Sequence, residues 1–274
     1  MSIITLTTDY GTKDHYVGAL KGKILSQDET AKIVDVSHEV DQFNISEASY
    51  IIGSAYNSFP TGTVHVIAVD VELKENNLHI AMEWNGHFFI TADNGILSIL
   101  IEKIKPQKIV AINIHDRLLP DATDMDVLIT VALHLSKGGS MSVIGKEINT
   151  LKEVTELQAV MTNDGNTIKG YVVYIDRFGN AVTNITKKMF LEVAKTRPYE
   201  VTFKSKKIKS IFARYSDLEA IDKRPLSVVS GIAVAIFNEA GFLEIGLYKS
   251  NPKVATAASL LGITYRDAIS INFN

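Results

Sequence analysis

The sequence contains no cysteine among its 274 residues. Disulfides, thiolate nucleophiles and cysteine-ligated metal sites are therefore excluded. The absence also fits a reducing compartment. Residues 1–9 carry neither a cationic segment nor an apolar run long enough for a signal peptide or a membrane span. We therefore expect a cytoplasmic protein with no membrane partner.

The chain also lacks a strong charge of either sign. Its 28 Lys and Arg residues and 31 Asp and Glu residues give a net charge of -3, and the basic residues are dispersed. Their densest stretch, residues 204–209, is typical of a solvated strand or loop. Because nucleic-acid binding needs a basic surface, we expect no nucleic-acid partner. Hydrophobic residues at 46% and charged residues at 22% indicate a folded globular chain.

Several catalytic signatures are missing as well. The N-terminal half has neither GxGxxG after its first strand nor the P-loop pattern GxxxxGK followed by Ser or Thr, which argues against a dinucleotide enzyme. The seven histidines show no HExxH or other paired spacing, so we predict no metal site. No GxSxG nucleophile elbow occurs either.

Strands alternate with helices in the first half of the chain, which favours an α/β domain with a largely parallel sheet. An Asn-Gly pair at 85 and 86 predicts a hairpin over residues 79–92. The other predicted strands are residues 3–8, 31–36 and 63–70, and the predicted helices are residues 14–26, 46–56 and 124–137.

From about residue 153 the pattern changes to short strands separated by turn residues, with little helix before residues 253–261. This pattern predicts an all-β second domain. The boundary is expected between residues 150 and 165, which gives domains of residues 1–155 and 165–274. The predicted strands are residues 157–161, 168–175, 181–185, 200–203, 207–213, 226–229, 232–237 and 242–247.

Two carboxylates, Asp9 and Asp70, each end an apolar strand of the first domain. In parallel sheets, ligands bind beyond the carboxyl ends of the strands, and an acid there can accept the hydroxyls of a ribose. An Asp before glycine can equally cap a turn. Both interpretations stay open from the residues alone.

The stretch YIDRFGNAVTNI, residues 174–185, interrupts a strand with an acid, an aromatic residue, a glycine and an amide. In one interpretation Asp176 and Asn180 bond the local backbone around a glycine bulge. In the other, Phe178 stacks on a purine while Asp176 and Asn180 make polar contacts with the ligand.

Six stretches together resemble the S-adenosylmethionine (SAM) hydroxide adenosyltransferase family, which also contains fluorinating and chlorinating enzymes. The resemblance covers nearly the whole chain. It implies an α/β domain, a β-barrel-like domain and a homotrimer that holds SAM between the N-terminal domain of one subunit and the C-terminal domain of the next. In chain order the stretches are TTDYGTKDHYVGALKG, IVDVSHEVDQFNISEA, FPTGTVHVIAVD, ADNGILS, YIDRFGNAVTNI and FNEAGFLEIGL.

The resemblance also implies which residues bind the ligand. Asp9 matches a ribose-binding acid, Tyr16 lies where a side chain approaches the methionine end, and Phe43 matches an aromatic residue of the adenosine pocket. Asp176 and Asn180 match positions that hold the amino acid portion. The remaining ligand positions are Phe178 and, in a turn expected to meet the adenine edge through its backbone, Asn238, Glu239 and Ala240.

The chain departs from the family at the catalytic positions. Hydrolysing members activate water with an Asp, an Arg seven residues later and a His at the start of a helix. Asp70 is retained here, but Asn77 stands at the Arg position and Thr123 at the His position. His115 and Arg117 lie close upstream of that helix, and we do not assign them to the set because the helix aligns without a gap.

The expected function is therefore binding of SAM and attack of water or hydroxide on its 5′ carbon, which gives adenosine and methionine without a metal or further cofactor. An adenosine- or SAM-binding module that has lost turnover is the alternative, because an amide and a hydroxyl do not replace a cation and a base. Transfer to a halide is less favoured, since the insertion typical of the fluorinating branch is absent after Asp70.

Overall fold

The computed structural model describes residues 2–101 and 104–273. It divides the chain into two compact units, Met1–Thr155 and Glu156–Asn274. Within the described residues, no helix combines the length and the apolar character that a membrane crossing requires.

The first unit is built on a seven-stranded sheet in the order β2-β1-β3-β5-β4-β6-β7. The pairs β1–β2, β1–β3 and β3–β5 are parallel, whereas β4 runs antiparallel to both β5 and β6, and β7 runs antiparallel to β6. All strands except β4 and β7 therefore run in one direction, which confirms the largely parallel sheet. The strands are β1 (Ile3–Thr8), β2 (Lys32–Ser37), β3 (Val64–Ala68), β4 (His79–Trp84), β5 (His87–Ala92), β6 (Lys108–Ile112) and β7 (Gly145–Glu147).

Helices cover both faces of this sheet, as apolar strands require. The helices are α1 (Tyr16–Gln27), α2 (Ile45–Ala55), α3 (Ile96–Ile101) and α4 (Asp124–Ser136). One core cluster packs α1 and α4 against the sheet, and a second packs α2 and α3 against it. Successive residues of β3 alternate between the two clusters, since Val66 belongs to the first and Ile67 to the second. Burial on both faces explains why every residue of β3 except His65 is apolar.

The hairpin over β4 and β5 turns where the sequence predicts it. Asn85 and Gly86 have positive φ values of 50° and 76°. A two-residue hairpin turn needs positive φ at both positions, and Asn-Gly tolerates this well. The hairpin returns β5 to a parallel pairing with β3.

One edge of the sheet gathers the strand ends that matter for a site. The parallel strands β1, β3 and β5 end there, and β6 ends there because it runs in the same direction. Strand β4 runs the other way, so its first residue, His79, lies opposite the last residue of β5, Ala92. Side chains far apart in the sequence therefore meet at this edge.

The second unit is a nearly closed, barrel-like sheet, which confirms the predicted β domain. Eight of its strands follow the order β12-β11-β16-β9-β10-β15-β14-β13, and β8 pairs with β9. The strands are β8 (Val160–Met161), β9 (Thr167–Ile175), β10 (Ala181–Thr186), β11 (Tyr199–Phe203), β12 (Lys206–Ile208), β13 (Ile211–Phe212), β14 (Ala233–Phe237), β15 (Phe242–Leu247) and β16 (Ala268–Phe273).

Short helices in this unit correct the sequence prediction. Residues 226–229, predicted as a strand, form a helix because the Pro225 carbonyl accepts the Val228 and Val229 amides and turns the chain. The predicted helix over residues 253–261 is confined to Ala257–Leu261, and β16 was not predicted. The helices are α5 (Lys187–Ala194), α6 (Asp217–Ile221), α7 (Leu226–Val229) and α8 (Ala257–Leu261).

His65 and His87 form a hydrogen-bonded pair that is buried in the first sheet. His65 Nδ1 lies 2.7 Å from the Thr5 hydroxyl, and His65 Nε2 lies 3.1 Å from His87 Nδ1. Burial, and then the neighbouring His87, lowers the pKa of His65 to about 3. His65 is therefore neutral in the folded protein at physiological pH.

We predict that acid destabilises the protein through this histidine. The folded-state pKa of His65 lies below its usual value of 6.5, so the unfolded state binds more protons and stability falls as the pH drops through this window. The free energy of unfolding should fall by about 2 kcal/mol between about pH 7.5 and about pH 5. Denaturant titrations at the two pH values measure it.

In the same titrations, His65→Gln should show a smaller loss on acidification, because the group is gone. The matched control is His15→Gln, at an exposed position, which should keep the wild-type dependence. An identical pH dependence in wild type and His65→Gln would contradict the assignment.

Candidate functional site

The backbone of Asp70, just beyond β3, is held in an unusual conformation. Asp70 has a φ of 49°, in the left-handed region that side-chain-bearing residues rarely adopt. Its carbonyl accepts hydrogen bonds from the side-chain amides of Asn77, at 3.2 Å, and Asn94, at 3.1 Å. The backbone of Asp70 is therefore held by two side-chain amides from other parts of the chain.

Both amides are buried and have further backbone partners. Asn77 is 5% exposed, and its side-chain nitrogen also donates to the Glu72 carbonyl at 2.9 Å. The Asn94 nitrogen also donates to the Val69 carbonyl at 2.9 Å, while its oxygen accepts the Ile96 amide at the start of α3. Asn77 was predicted at a catalytic position. Its side chain contacts the main-chain carbonyl of Asp70 and thereby holds the loop between the two residues in place.

Thr123, the other predicted catalytic position, caps helix α4. Its hydroxyl donates to the Asp126 carboxylate at 2.7 Å, and its backbone amide donates to the same carboxylate at 2.8 Å. Lys23 pairs with Asp126 at 2.6 Å. The Thr123 side chain is therefore engaged in starting the helix, and the next residue, Asp124, is the first residue of α4.

A pair of histidines lies beside the Asp70 loop, and the sequence analysis did not assign it. His79 Nε2 donates to the Val71 carbonyl at 2.9 Å, and His79 Nδ1 lies 3.2 Å from His115 Nε2. An Asp124 carboxylate oxygen lies 3.7 Å from His79 Nε2. Burial lowers the pKa of His79. The signal in the sequence is a histidine at the start of β4 and another just after β6, which are neighbouring strands.

The predicted ribose-binding acid, Asp9, is linked to the predicted adenosine-pocket residue, Phe43. The Asp9 carboxylate accepts the Phe43 backbone amide at 3.0 Å. Phe43 has a φ of 61°, and its side chain is 70% exposed. The bond orders the chain around Phe43 and leaves the aromatic ring open to a ligand.

Tyr10 lies close to both Asp9 and Asp124, the first residue of α4. Burial, and then the charges of Asp9 and Asp124, raise the pKa of Tyr10 to about 12. Its ring lies 6.0 Å from that of Tyr16, the predicted methionine-end residue, which begins α1 and is half exposed. The edge of the first sheet thus brings Asp9, Tyr16 and Asp124 into one neighbourhood.

In the second unit, the stretch around Gly179 is a tight turn between β9 and β10. The Asp176 carboxylate accepts the Asn180 backbone amide at 2.8 Å and the Asn180 side-chain amide at 2.9 Å. Gly179 has a φ of 74°, and a Cβ there would lie 2.3 Å from the Thr256 Cβ. The predicted local bonding is therefore present, and Phe178 between the two polar residues is 68% exposed.

A cavity of about 250 Å³ lies next to this turn. Beside it, the Tyr215 hydroxyl donates to Glu244 at 2.5 Å. Burial raises the pKa of Glu244, and burial and this bond raise the pKa of Tyr215. The wall of the cavity at Tyr215 is therefore polar. Its lining residues are Phe178, Asn180, Tyr215, Leu247, Lys249, Ser250, Pro252, Thr256 and Ala257.

The predicted adenine-edge turn follows β14. The Asn238 side chain donates to Glu244 at 3.3 Å and accepts the Phe242 amide at 3.1 Å, which closes the turn. Glu239 and Ala240 at its tip are exposed. Asn238 therefore contacts the same Glu244 that Tyr215 of the cavity wall contacts.

Two family models match the chain. The model of the SAM hydroxide adenosyltransferase N-terminal domain covers residues 4–145, and that of the SAM hydroxide adenosyltransferase C-terminal domain covers residues 170–270. The chain belongs to the SAM hydroxide adenosyltransferase family. The match spans both units, so both candidate regions lie inside the family domains.

Relatives of the chain include proteins named (R)-S-adenosyl-L-methionine hydrolase and proteins named fluorinase. The hydrolase from Methanocaldococcus jannaschii is 29% identical and covers 99% of this chain and 96% of its own. The fluorinase of Actinopolyspora mzabensis is 24% identical over 67% of this chain and 71% of its own. A solved structure of an uncharacterized conserved protein from Thermotoga maritima is 27% identical, covers 98% of this chain and 100% of its own, and has a TM-score of 0.84.

No group of three or more histidine, aspartate or glutamate side chains among residues 2–101 and 104–273 is arranged to hold a metal ion. The acids and histidines of the sheet edge are instead engaged with backbone groups and with one another.

We predict that Asn77→Asp destabilises the protein, because the change removes both donated hydrogen bonds and turns a carboxylate toward the Asp70 and Glu72 carbonyls. The cost should be about 2–4 kcal/mol. Chemical denaturation measures it. Asn113→Asp, the same change at an exposed site, is the control and should stay within about 0.5 kcal/mol of wild type. Equal stabilities of the two variants would refute the proposed role of the Asn77 amide.

Proposed function

We propose that the chain binds S-adenosylmethionine and cleaves it with water to adenosine and methionine. The observation that carries the proposal is Asp70, held in a fixed left-handed conformation at the edge where the parallel strands end. Such an edge is where ligands bind in open α/β sheets. Membership of the family and the names of the hydrolase relatives support the same reaction.

The ligand roles proposed in the first unit follow the exposed groups of that edge. Asp9 binds the ribose hydroxyls with the oxygen that does not accept the Phe43 amide. The exposed ring of Phe43 lines the adenosine pocket, and Tyr16 approaches the methionine end. These are proposals, supported by the order that the Asp9 bond gives to the segment and by the exposure of both rings.

In the second unit we propose that the cavity beside the turn receives part of the ligand. Phe178 offers an exposed aromatic face for stacking. Asp176 and Asn180, already fixed by their mutual bonds, contact the amino acid portion. The turn of Asn238, Glu239 and Ala240 meets the adenine edge through its backbone.

The chemistry asks little of the protein beyond placement and dehydration of the nucleophile. Methionine leaves as a neutral thioether, so no leaving-group charge needs stabilising. Orienting a water in line with the departing sulfur and removing other water supply most of the rate. In our proposal the Asp70 carboxylate orients that water, and neither the Asn77 amide nor the Thr123 hydroxyl acts as base, because each is engaged with the protein itself.

The test uses SAM that contains both sulfonium epimers, because the relatives are named for the (R) form. We predict that wild type forms adenosine and methionine in equal amounts and consumes the (R) epimer, which chromatography of both products detects. SAM or adenosine at millimolar concentration should also raise the melting temperature, since a ligand that binds only the folded state stabilises it. Asp9→Ala should lose that shift.

The control for the binding measurement is Asp14→Ala, which removes an exposed acid close in sequence and should keep the wild-type shift. No melting shift and no adenosine with either epimer would refute the proposed function. A shift without adenosine would leave a binding protein and refute the hydrolysis.

We also propose a homotrimer, as the family resemblance implies, in which binding residues from two subunits complete one ligand site. Sedimentation at micromolar concentration should give three times the mass of the chain. If the site is shared between subunits, adding SAM should narrow the distribution of sedimentation coefficients toward the trimer, because the ligand then favours the assembled form. A monomer under both conditions would contradict this assembly.

A further inference from the structure

We propose that His115 is the general base for the attacking water and that His79 positions it. The proposal rests on the proposed function, because it names a residue of the same site. It stands on the hydrogen-bonded chain that runs from the Val71 carbonyl through His79 to His115. Val71 directly follows Asp70, so the chain is anchored on the loop that presents the Asp70 carboxylate.

The Val71 carbonyl determines where the protons lie. A carbonyl oxygen only accepts, so His79 Nε2 must carry the proton that it donates at 2.9 Å. In neutral His79, Nδ1 is then an acceptor. His115 Nε2, at 3.2 Å, must donate to it. Neutral His115 therefore has its lone pair on Nδ1, which no described residue hydrogen-bonds, and that nitrogen is free to accept a proton.

His79 and His115 differ in their exposure to solvent. His79 is fully buried, and burial lowers its pKa. His115 is only half-buried. The Asp124 carboxylate lies 3.7 Å from His79 Nε2, and its charge acts to raise the pKa of His79 against the larger effect of burial. The charged or titratable groups around the pair are Asp116 and Arg117 on the turn of His115, Asp124 beside His79, and Asp70 in the loop whose Val71 carbonyl His79 contacts.

The chemical step balances without a co-reactant. The water oxygen forms a bond to the 5′ carbon while the bond from that carbon to sulfur breaks and its electron pair stays on sulfur. The water proton passes to His115 Nδ1 and later to solvent. Asp70 orients the water. The hydrogen bond from His115 Nε2 to His79 Nδ1 fixes the orientation of the His115 ring.

The two histidine pairs of this sheet differ in a way that supports the assignment. Both rings of the His65–His87 pair are buried, at 0% and 3% exposure, and serve the core. In the His79–His115 pair one ring is buried and the other reaches solvent at the strand-end edge. A pair made for packing does not need a half-open member beside a strand-end carboxylate.

The test measures turnover of SAM by wild type, His115→Gln, His115→Ala and His79→Gln. Removing the base should lower kcat by about 10²–10⁴-fold with little change in KM. The rise of wild-type kcat with pH, which reports deprotonation of the base, should be absent in His115→Gln. Added imidazole should restore part of the activity of His115→Ala, because a free base can occupy the space of the lost ring.

His79→Gln keeps a donor for the Val71 carbonyl, but its acceptor oxygen does not take the ring position of Nδ1, which accepts from His115. It should lower kcat less than His115→Gln does and should move the pH profile rather than abolish it. His134→Gln, in α4 and bonded to the Ser140 carbonyl, is the control and should behave as wild type.

The failures are distinguishable. Wild type without turnover refutes the proposed function together with this inference. Turnover in wild type with unchanged kcat and pH profile in His115→Gln refutes this inference alone. If His115→Gln loses activity by misfolding, its melting curve and SAM-induced shift will show it, and the absence of imidazole rescue in a folded His115→Ala overturns the assignment.

Discussion

The left-handed backbone at Asp70 is the constraint on which the candidate site depends. Such a conformation costs on the order of 1–3 kcal/mol and persists only where the surroundings hold it. Here Asn77 and Asn94 donate to the Asp70 carbonyl. Because the Val71 carbonyl then accepts from His79, the same backbone path also sets the orientation of the two histidines. One strained residue thus links the strand-end acid to the only pair of rings that joins β4 to the turn after β6 in the described part of the chain.

Much of the fold follows from the sequence because local patterns and tertiary packing agree. Strand β3 is apolar on both faces, and the Asn85-Gly86 turn has one preferred conformation, so both were predicted. The strand predicted for residues 226–229 was wrong. Ser-Val-Val has strand propensity, but Pro225 starts a helical turn, and the packing of Val229 in a small core cluster stabilises that turn. Strand β16 could not be predicted from its neighbours, since it inserts between β11 and β9, far away in sequence.

The candidate site was predicted in part, for a similar reason. Acids at strand ends can be predicted from the sequence, because a strand and the turn that follows it are contiguous in the chain. The His79–His115 contact depends on β4 lying between β5 and β6 and running against both, and no periodicity reports that order. Asn77 was interpreted as the loss of an arginine. The structure shows that its side chain donates to two backbone carbonyls of the loop after β3.

The turn at residues 176–180 shows that structural and binding interpretations of a motif need not compete. The Asp176 carboxylate accepts hydrogen bonds from both amide groups of Asn180. Residue 179 must be glycine because a Cβ there would collide with the Thr256 side chain. These bonds leave Phe178 no place in the core, so its ring stays in solvent beside the cavity. Because these bonds already order the backbone of the turn, a ligand that stacks on the ring costs no further backbone entropy there, and a smaller entropy cost means tighter binding. The hydrogen bonds between Asp176 and Asn180 therefore support the proposed stacking role of the Phe178 ring.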